Sequence, residues 1–103
     1  MINIETSGSE KTFLIGGDLD QHTMREFSEI IHRELGETGD WDFSIDLDRT
    51  TFVDSGCLGV ISQANRELTG RGRRLRLLNV HSGVAATLNV TSLDKIFDIE
   101  YKK

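Results

Sequence analysis

Residues 52–60 read FVDSGCLGV and bring a carboxylate, a hydroxyl and a thiol within four positions, as Asp54, Ser55 and Cys57. Such a set can serve as a nucleophile, a phosphate acceptor, a metal ligand or a plain helix cap. A serine hydrolase needs a base within reach of its hydroxyl and usually a Gly-x-Ser-x-Gly elbow. Here Val53 stands two residues before Ser55, and His22, His32 and His81 are each isolated in sequence, so both requirements fail. One cysteine and three scattered histidines have no ligand spacing, and no metal is expected. GGDLD is neither a P-loop nor a dinucleotide fingerprint, and DLDRT lacks the calcium-loop pattern, so no cofactor is expected. An acyl-phosphate receiver would also place an Asp at a strand end. It needs an acidic pair after the first strand and a downstream Lys, and neither is in place.

The elements that must hold these residues are readable from periodicity. Ile2 and Ile4, then Phe13, Leu14 and Ile15, suggest two short strands joined by the polar turn SGSEK, the second ended by GGD. Thr23 and Glu26 read as a T-x-x-E capping box opening a helix, in which Met24, Phe27, Ile31 and Leu35 recur at helical spacing. Gly36 or Gly39 supplies its stop, and His32 falls on its charged side. DFSIDLD alternates Phe43, Ile45 and Leu47 against Asp42, Ser44 and Asp46, a strand with one buried and one polar face. A sheet covered on both faces would show a continuous apolar run instead, so helices are expected mainly on one face. After Ser55, Leu58, Ile61, Ala64 and Leu68 follow helical spacing until Gly70. LRLLNV is a further strand, SGVAATLNV a short helix with Ser82 as its cap, and IFDIEY a last strand. The order β-β-α-β-α-β-α-β describes an α/β fold with a mixed, largely parallel sheet.

In this framework Ser55 sits between a strand and a helix, where its oxygen can accept from the amides two or three residues on. It is therefore expected to be the N-cap, worth ~1 kcal/mol. The same place suits a phosphate, which would meet free backbone donors and the positive end of the helix dipole. Phosphorylation there adds roughly −1.5 to −2 charge without obliging the domain to unfold. Cys57 would be an activated thiolate if exposed and inert if buried.

Composition limits the partners. At 103 residues, with 37% hydrophobic and 28% charged positions, the chain fits one globular domain over 1–103. A net charge of −5 argues against nucleic acid. Arg71, Arg73, Arg74 and Arg76 form the one basic cluster, either a solvated turn and strand edge or a contact for an acidic partner. No apolar run approaches the ~18–20 residues of a membrane span, and the first residues lack a signal-peptide pattern, so a cytoplasmic protein is expected.

FVDSGCLGVI resembles the signature of STAS domains of the bacterial anti-sigma factor antagonist type, an apolar residue followed by Asp-Ser-(Ser/Thr/Ala)-Gly-Leu-Gly-Val. GGDLDQHT is similar to the family's Gly-(Glu/Asp)-Leu-Asp segment, and IDLDRTTFVDS to its central strand and loop. GRRLRLLNVHSGVAATLNVTSLDKIFDI is similar to its closing strand, short helix and end. The resemblance implies a non-enzymatic, STAS-type partner switch, monomeric or weakly dimeric. Its unphosphorylated form would bind a GHKL-type serine kinase that doubles as an anti-sigma factor. That kinase would phosphorylate Ser55 and be released, and a PP2C-type phosphatase would reverse the step. Carried over by position, Asp20, Asp54, Ser55, Gly56 and Leu58 form the partner-binding set. Gly56 and Cys57 depart from the family's usual Ser, Thr or Ala followed by Gly. The alternative is a constitutive scaffold or sensor in which Ser55 is only a cap.

Overall fold

A computed structural model describes residues 1–37 and 39–103. The strands are β1 (Ile2–Ser7), β2 (Glu10–Ile15), β3 (Asp42–Asp46), β4 (Leu75–Val80) and β5 (Asp98–Tyr101). The helices are α1 (Met24–Leu35), α2 (Ser55–Gly70) and α3 (Ser82–Val90), with a single 3-10 turn at Leu93–Lys95. This is the element order expected from the periodicity. The sheet runs β1-β2-β3-β4-β5; β1 and β2 are antiparallel and every later pair is parallel. The β1–β2 hairpin closes through Gly8 and Ser9, and Gly8 takes φ +60°, a conformation that a two-residue hairpin loop demands and glycine adopts freely.

Strand alternation decides which face is covered. Phe13 and Ile15 of β2, Phe43 and Ile45 of β3, and Leu75 and Leu77 of β4 all point to one face and are buried. Phe27, Ile31 and Leu35 of α1, Ile61, Ala64 and Leu68 of α2, and Val84 and Leu88 of α3 close over them. Phe13 meets Phe43 edge-on, with ring centroids 4.9 Å apart. Each large apolar side chain buried in this way stabilises by roughly 1.5–3 kcal/mol, several times an exposed ion pair, so this layer holds the fold. α2 ends in a Schellman turn: the Arg73 N–H donates to the Leu68 carbonyl at 2.8 Å and the Gly72 N–H to Thr69 at 3.0 Å. Gly72 takes the left-handed φ of +75° that this turn requires. Gly36 caps α1.

Two polar residues are handled differently from what the alternation implies. Ser44 lies on the helix-free face, yet it is 0% exposed. Its hydroxyl donates to Glu10 Oε2 at 2.8 Å, and the same oxygen accepts from Arg76 at 2.8 Å. A short side chain on a central strand is thus roofed by the long side chains of both neighbouring strands. Lys11 points to the covered face beyond the apolar core, where it pairs with Glu34 of α1 at 2.7 Å and lies 4.7 Å from the Trp41 ring. The basic cluster is consumed internally as well. Arg73 pairs with Asp42 at 3.1 Å, Arg74 with Asp98, and Arg76 with Glu10 at 2.8 Å, while Arg71 donates to the Leu35 carbonyl at 3.0 Å.

Candidate functional site

The β2–α1 and β3–α2 loops are fastened together at the carboxyl ends of their strands. Leu19 N–H donates to the Phe52 carbonyl at 3.0 Å, and Asp54 N–H donates to the Leu19 carbonyl at 2.9 Å, a short parallel bridge between Leu19 and Val53. Both apolar side chains of the bridge are buried. Thr50 adds a hydroxyl bond to the Gly17 carbonyl at 2.7 Å. Asp18 completes the fastening: its Oδ1 accepts from the Thr51 amide at 2.8 Å, the Thr51 hydroxyl at 3.0 Å and the Phe52 amide at 3.2 Å. The Thr51 amide, more than its hydroxyl or the Phe52 amide, holds the Asp18 carboxyl below its ordinary value of 3.8. Asp18 was not among the expected site residues, although its place two before Asp20 around a single apolar residue was the available signal.

The bridge fixes which residue begins α2. Asp54 is extended, with φ −84° and ψ 172°, and its side chain accepts from the Cys57 amide at 2.8 Å. Asp54 is therefore the N-cap and Ser55 the first helical residue, which corrects the expectation that Ser55 caps the helix. Asp and Ser cap about equally well, and the bond from the Asp54 amide to Leu19 is what selects Asp54. Freed of that duty, the Ser55 hydroxyl is exposed and makes no hydrogen bond among the described residues.

The start of α1 departs from the reading in a similar way. Thr23 has helical backbone angles and makes no cap bond, so the capping box with Glu26 does not form. Instead the Thr23 hydroxyl accepts from the Asp20 amide at 3.0 Å and donates to the Asp18 carbonyl at 2.9 Å. Asp20 organises the turn: its Oδ1 accepts from the His22 amide at 2.9 Å and the Thr23 amide at 3.2 Å.

Of the five partner-facing residues expected, Asp20, Asp54, Ser55 and Gly56 gather at this end of the molecule. Leu58 does not join them: at 5% exposure it belongs to the core, because the fourth position of α2 turns back under the helix. Cys57 is fully buried, with Sγ 4.0 Å from the Asp20 carbonyl. Burial first, then its hydrogen bond to Asp54 and the charges of Asp54 and Asp20, pushes the thiol up to about 12. It stays protonated and unreactive. Asp20, Gln21, His22, Phe52 and Asp54 line an open hollow beside Ser55. No histidine ring hydrogen-bonds to Ser55 among the described residues: His32 pairs with Ser28, His81 with the Asp48 carbonyl, and His22 lines the hollow without a bond to the hydroxyl. Sequence reasoning also passed over Phe52, which is 51% exposed at the edge of the hollow.

A family profile described as STAS domain matches residues 1–102. An anti-sigma-B factor antagonist of Staphylococcus aureus is 25% identical over 100 residues, covering 95% of this chain and 92% of its own length. Among solved structures, an anti-sigma factor antagonist from Mycobacterium paratuberculosis superposes with a TM-score of 0.86 at 18% identity, covering 97% of this chain and 84% of its own. The Bacillus cell fate determinant SpoIIAA in its phosphorylated form does so with a TM-score of 0.74 at 19% identity, covering 96% and 90%. At these identities the structural likeness speaks to the fold.

Proposed function

Because the chain belongs to the STAS domain family and is similar to an anti-sigma-B factor antagonist, we propose that it is a partner switch set by the phosphorylation state of Ser55. The unmodified form binds a GHKL-type serine kinase that acts as an anti-sigma factor. That kinase moves the γ-phosphoryl group of ATP onto Ser55 Oγ, and a PP2C-type phosphatase hydrolyses it off. The setting is the cytoplasm, and the working unit a monomer or weak dimer.

The observation that carries this reading is the division of labour between Asp54 and Ser55. Asp54 holds the cap bond, so a phosphate on the exposed Ser55 hydroxyl breaks no hydrogen bond of the fold. The Ser55 and Gly56 amides at the start of α2 have no partner among the described residues and point with the positive end of the helix dipole. A phosphate is thus accommodated locally. Asp20 and Asp54 line the hollow beside it, and their carboxylates form no salt bridge among the described residues. The phosphate therefore adds to the negative charge that a partner meets there. A constitutive scaffold that uses Ser55 only as a cap loses that role to Asp54.

The test compares Ser55→Ala and Ser55→Asp for binding to the host's GHKL-type kinase. Ser55→Ala should bind within a few-fold of the unmodified chain, and Ser55→Asp about 100-fold or more weakly, as for an unpaired charge forced into an interface. Equally tight binding by both would remove the charge switch.

A further inference from the structure

Gly56 is exposed and stands beside the acceptor, yet the space over it is occupied. A Cβ built at position 56 would lie 2.7 Å from the Met24 sulfur, closer than real Cβ atoms approach. The Met24 backbone is pinned, since its amide donates to the Asp20 carbonyl at 2.9 Å. A side chain at 56 and the present position of the Met24 thioether therefore exclude one another, and only the flexible thioether can give way.

One oxygen of each carboxylate at this end is taken by backbone amides: Asp20 by those of its own turn, Asp54 by that of Cys57, and Asp18 by those of Thr51 and Phe52 on the facing loop. Exposed at this end are the Ser55 hydroxyl, the polar Gln21 and His22, and two large apolar groups, Met24 at 38% and Phe52 at 51% exposure. Met24 also lies outside the buried seam of α1, which consists of Phe27, Ile31 and Leu35. A thioether on three rotatable bonds adapts to an apolar pocket better than any other side chain.

We infer that Met24 and Gly56 are a matched pair, the missing side chain at 56 making room for the thioether, and that Met24 is a specificity-determining contact for the protein that binds the Ser55 face. That partner presents an apolar pocket which receives the Met24 side chain. The inference rests on the switch reading above and names the residue through which the switch selects its kinase.

A double-mutant cycle tests it, with the GHKL-type kinase of the host that binds the unmodified chain as the probe and thermal unfolding as a parallel readout. Met24→Ala should weaken binding about tenfold, with a melting midpoint close to that of the parent. Met24→Gln, which keeps the length and removes the apolar character, should weaken it similarly. Gly56→Ala should weaken binding by displacing the thioether, and the double variant Met24→Ala/Gly56→Ala should be no weaker than the poorer single variant. Parental affinity in both Met24 variants, or effects that multiply in the double variant, would overturn the pairing. If Ser55→Asp releases the kinase while the Met24 variants bind normally, this inference alone fails. If Ser55→Asp still binds, the switch reading fails.

Discussion

The helix-free face of the sheet and the Ser55 end both gather carboxylates, and the two regions hold them in different ways. On the sheet, three acids meet cations: Glu10 meets Arg76, Asp42 meets Arg73, and Asp98 meets Arg74, while Asp46 accepts from the Asn79 side-chain amide at 3.1 Å. Under the same sheet Glu34 meets Lys11. At the Ser55 end, Asp18, Asp20 and Asp54 bond to backbone amides instead. An amide orients a carboxylate as well as an arginine does but leaves its charge in place. Those three sheet acids are thereby paired in charge as well as in shape, while the carboxylates of the loop end are fixed in shape and keep their charge. Cover and signal call for different partners of the same side chain.

This contrast can be broken by mutation, and the largest effect belongs to the buried pair. Lys11→Ala would leave the largely buried Glu34 carboxylate with only the longer, exposed contact to Arg33 at 3.6 Å, which costs about 2 kcal/mol and lowers the melting midpoint by roughly 10 °C in a domain of this size. A calorimetric shift smaller than that of the next variant would reverse the assignment of strength. Next comes the cap: Asp54→Ala should lose ~1 kcal/mol while Ser55→Ala loses almost nothing, as read by urea denaturation. The opposite ranking would return the cap to Ser55.

The smallest effect is Glu10→Gln on the open face, below ~1 kcal/mol and diminished by salt. The Ser44 hydrogen bond, ahead of the Arg76 bond and charge, lowers the Glu10 carboxyl below its ordinary 4.5. A lowered folded value means the stabilisation is fully present above 4.5 and fades as the pH falls through the folded value. Melting curves for the parent and Glu10→Gln should therefore separate near neutrality and converge in acid. Curves that stay parallel throughout would mean that the Ser44–Glu10–Arg76 contacts add nothing to stability.

How much of this was legible in the sequence depends on range. Phe43, Ile45 and Leu47, or Ile61, Ala64 and Leu68, declare their elements within a few residues, because side-chain direction follows from local backbone geometry. Element order and the one-sided cover followed from such patterns. Two of the failures are long-range. Asp54 rather than Ser55 caps α2 because of a bond to Leu19, on another loop. Ser44 is buried because Glu10 and Arg76, on two other strands, close over it. Thr23 gives its hydroxyl to Asp18 and so forgoes the capping box. Leu58 reads as part of a surface motif but is turned inward by the helix that the motif begins. A motif names the neighbourhood of the site; it does not say which of its side chains face out.

The Asp18 staple has a bearing on time. Three bonds to one carboxylate and a strand-like bridge beside them oppose any change of loop position when a phosphate arrives or leaves. Both the kinase and the phosphatase of the proposed cycle would then meet one shape. The switch would keep no memory of its previous state, and its output would follow the ratio of the two enzymes without lag or hysteresis.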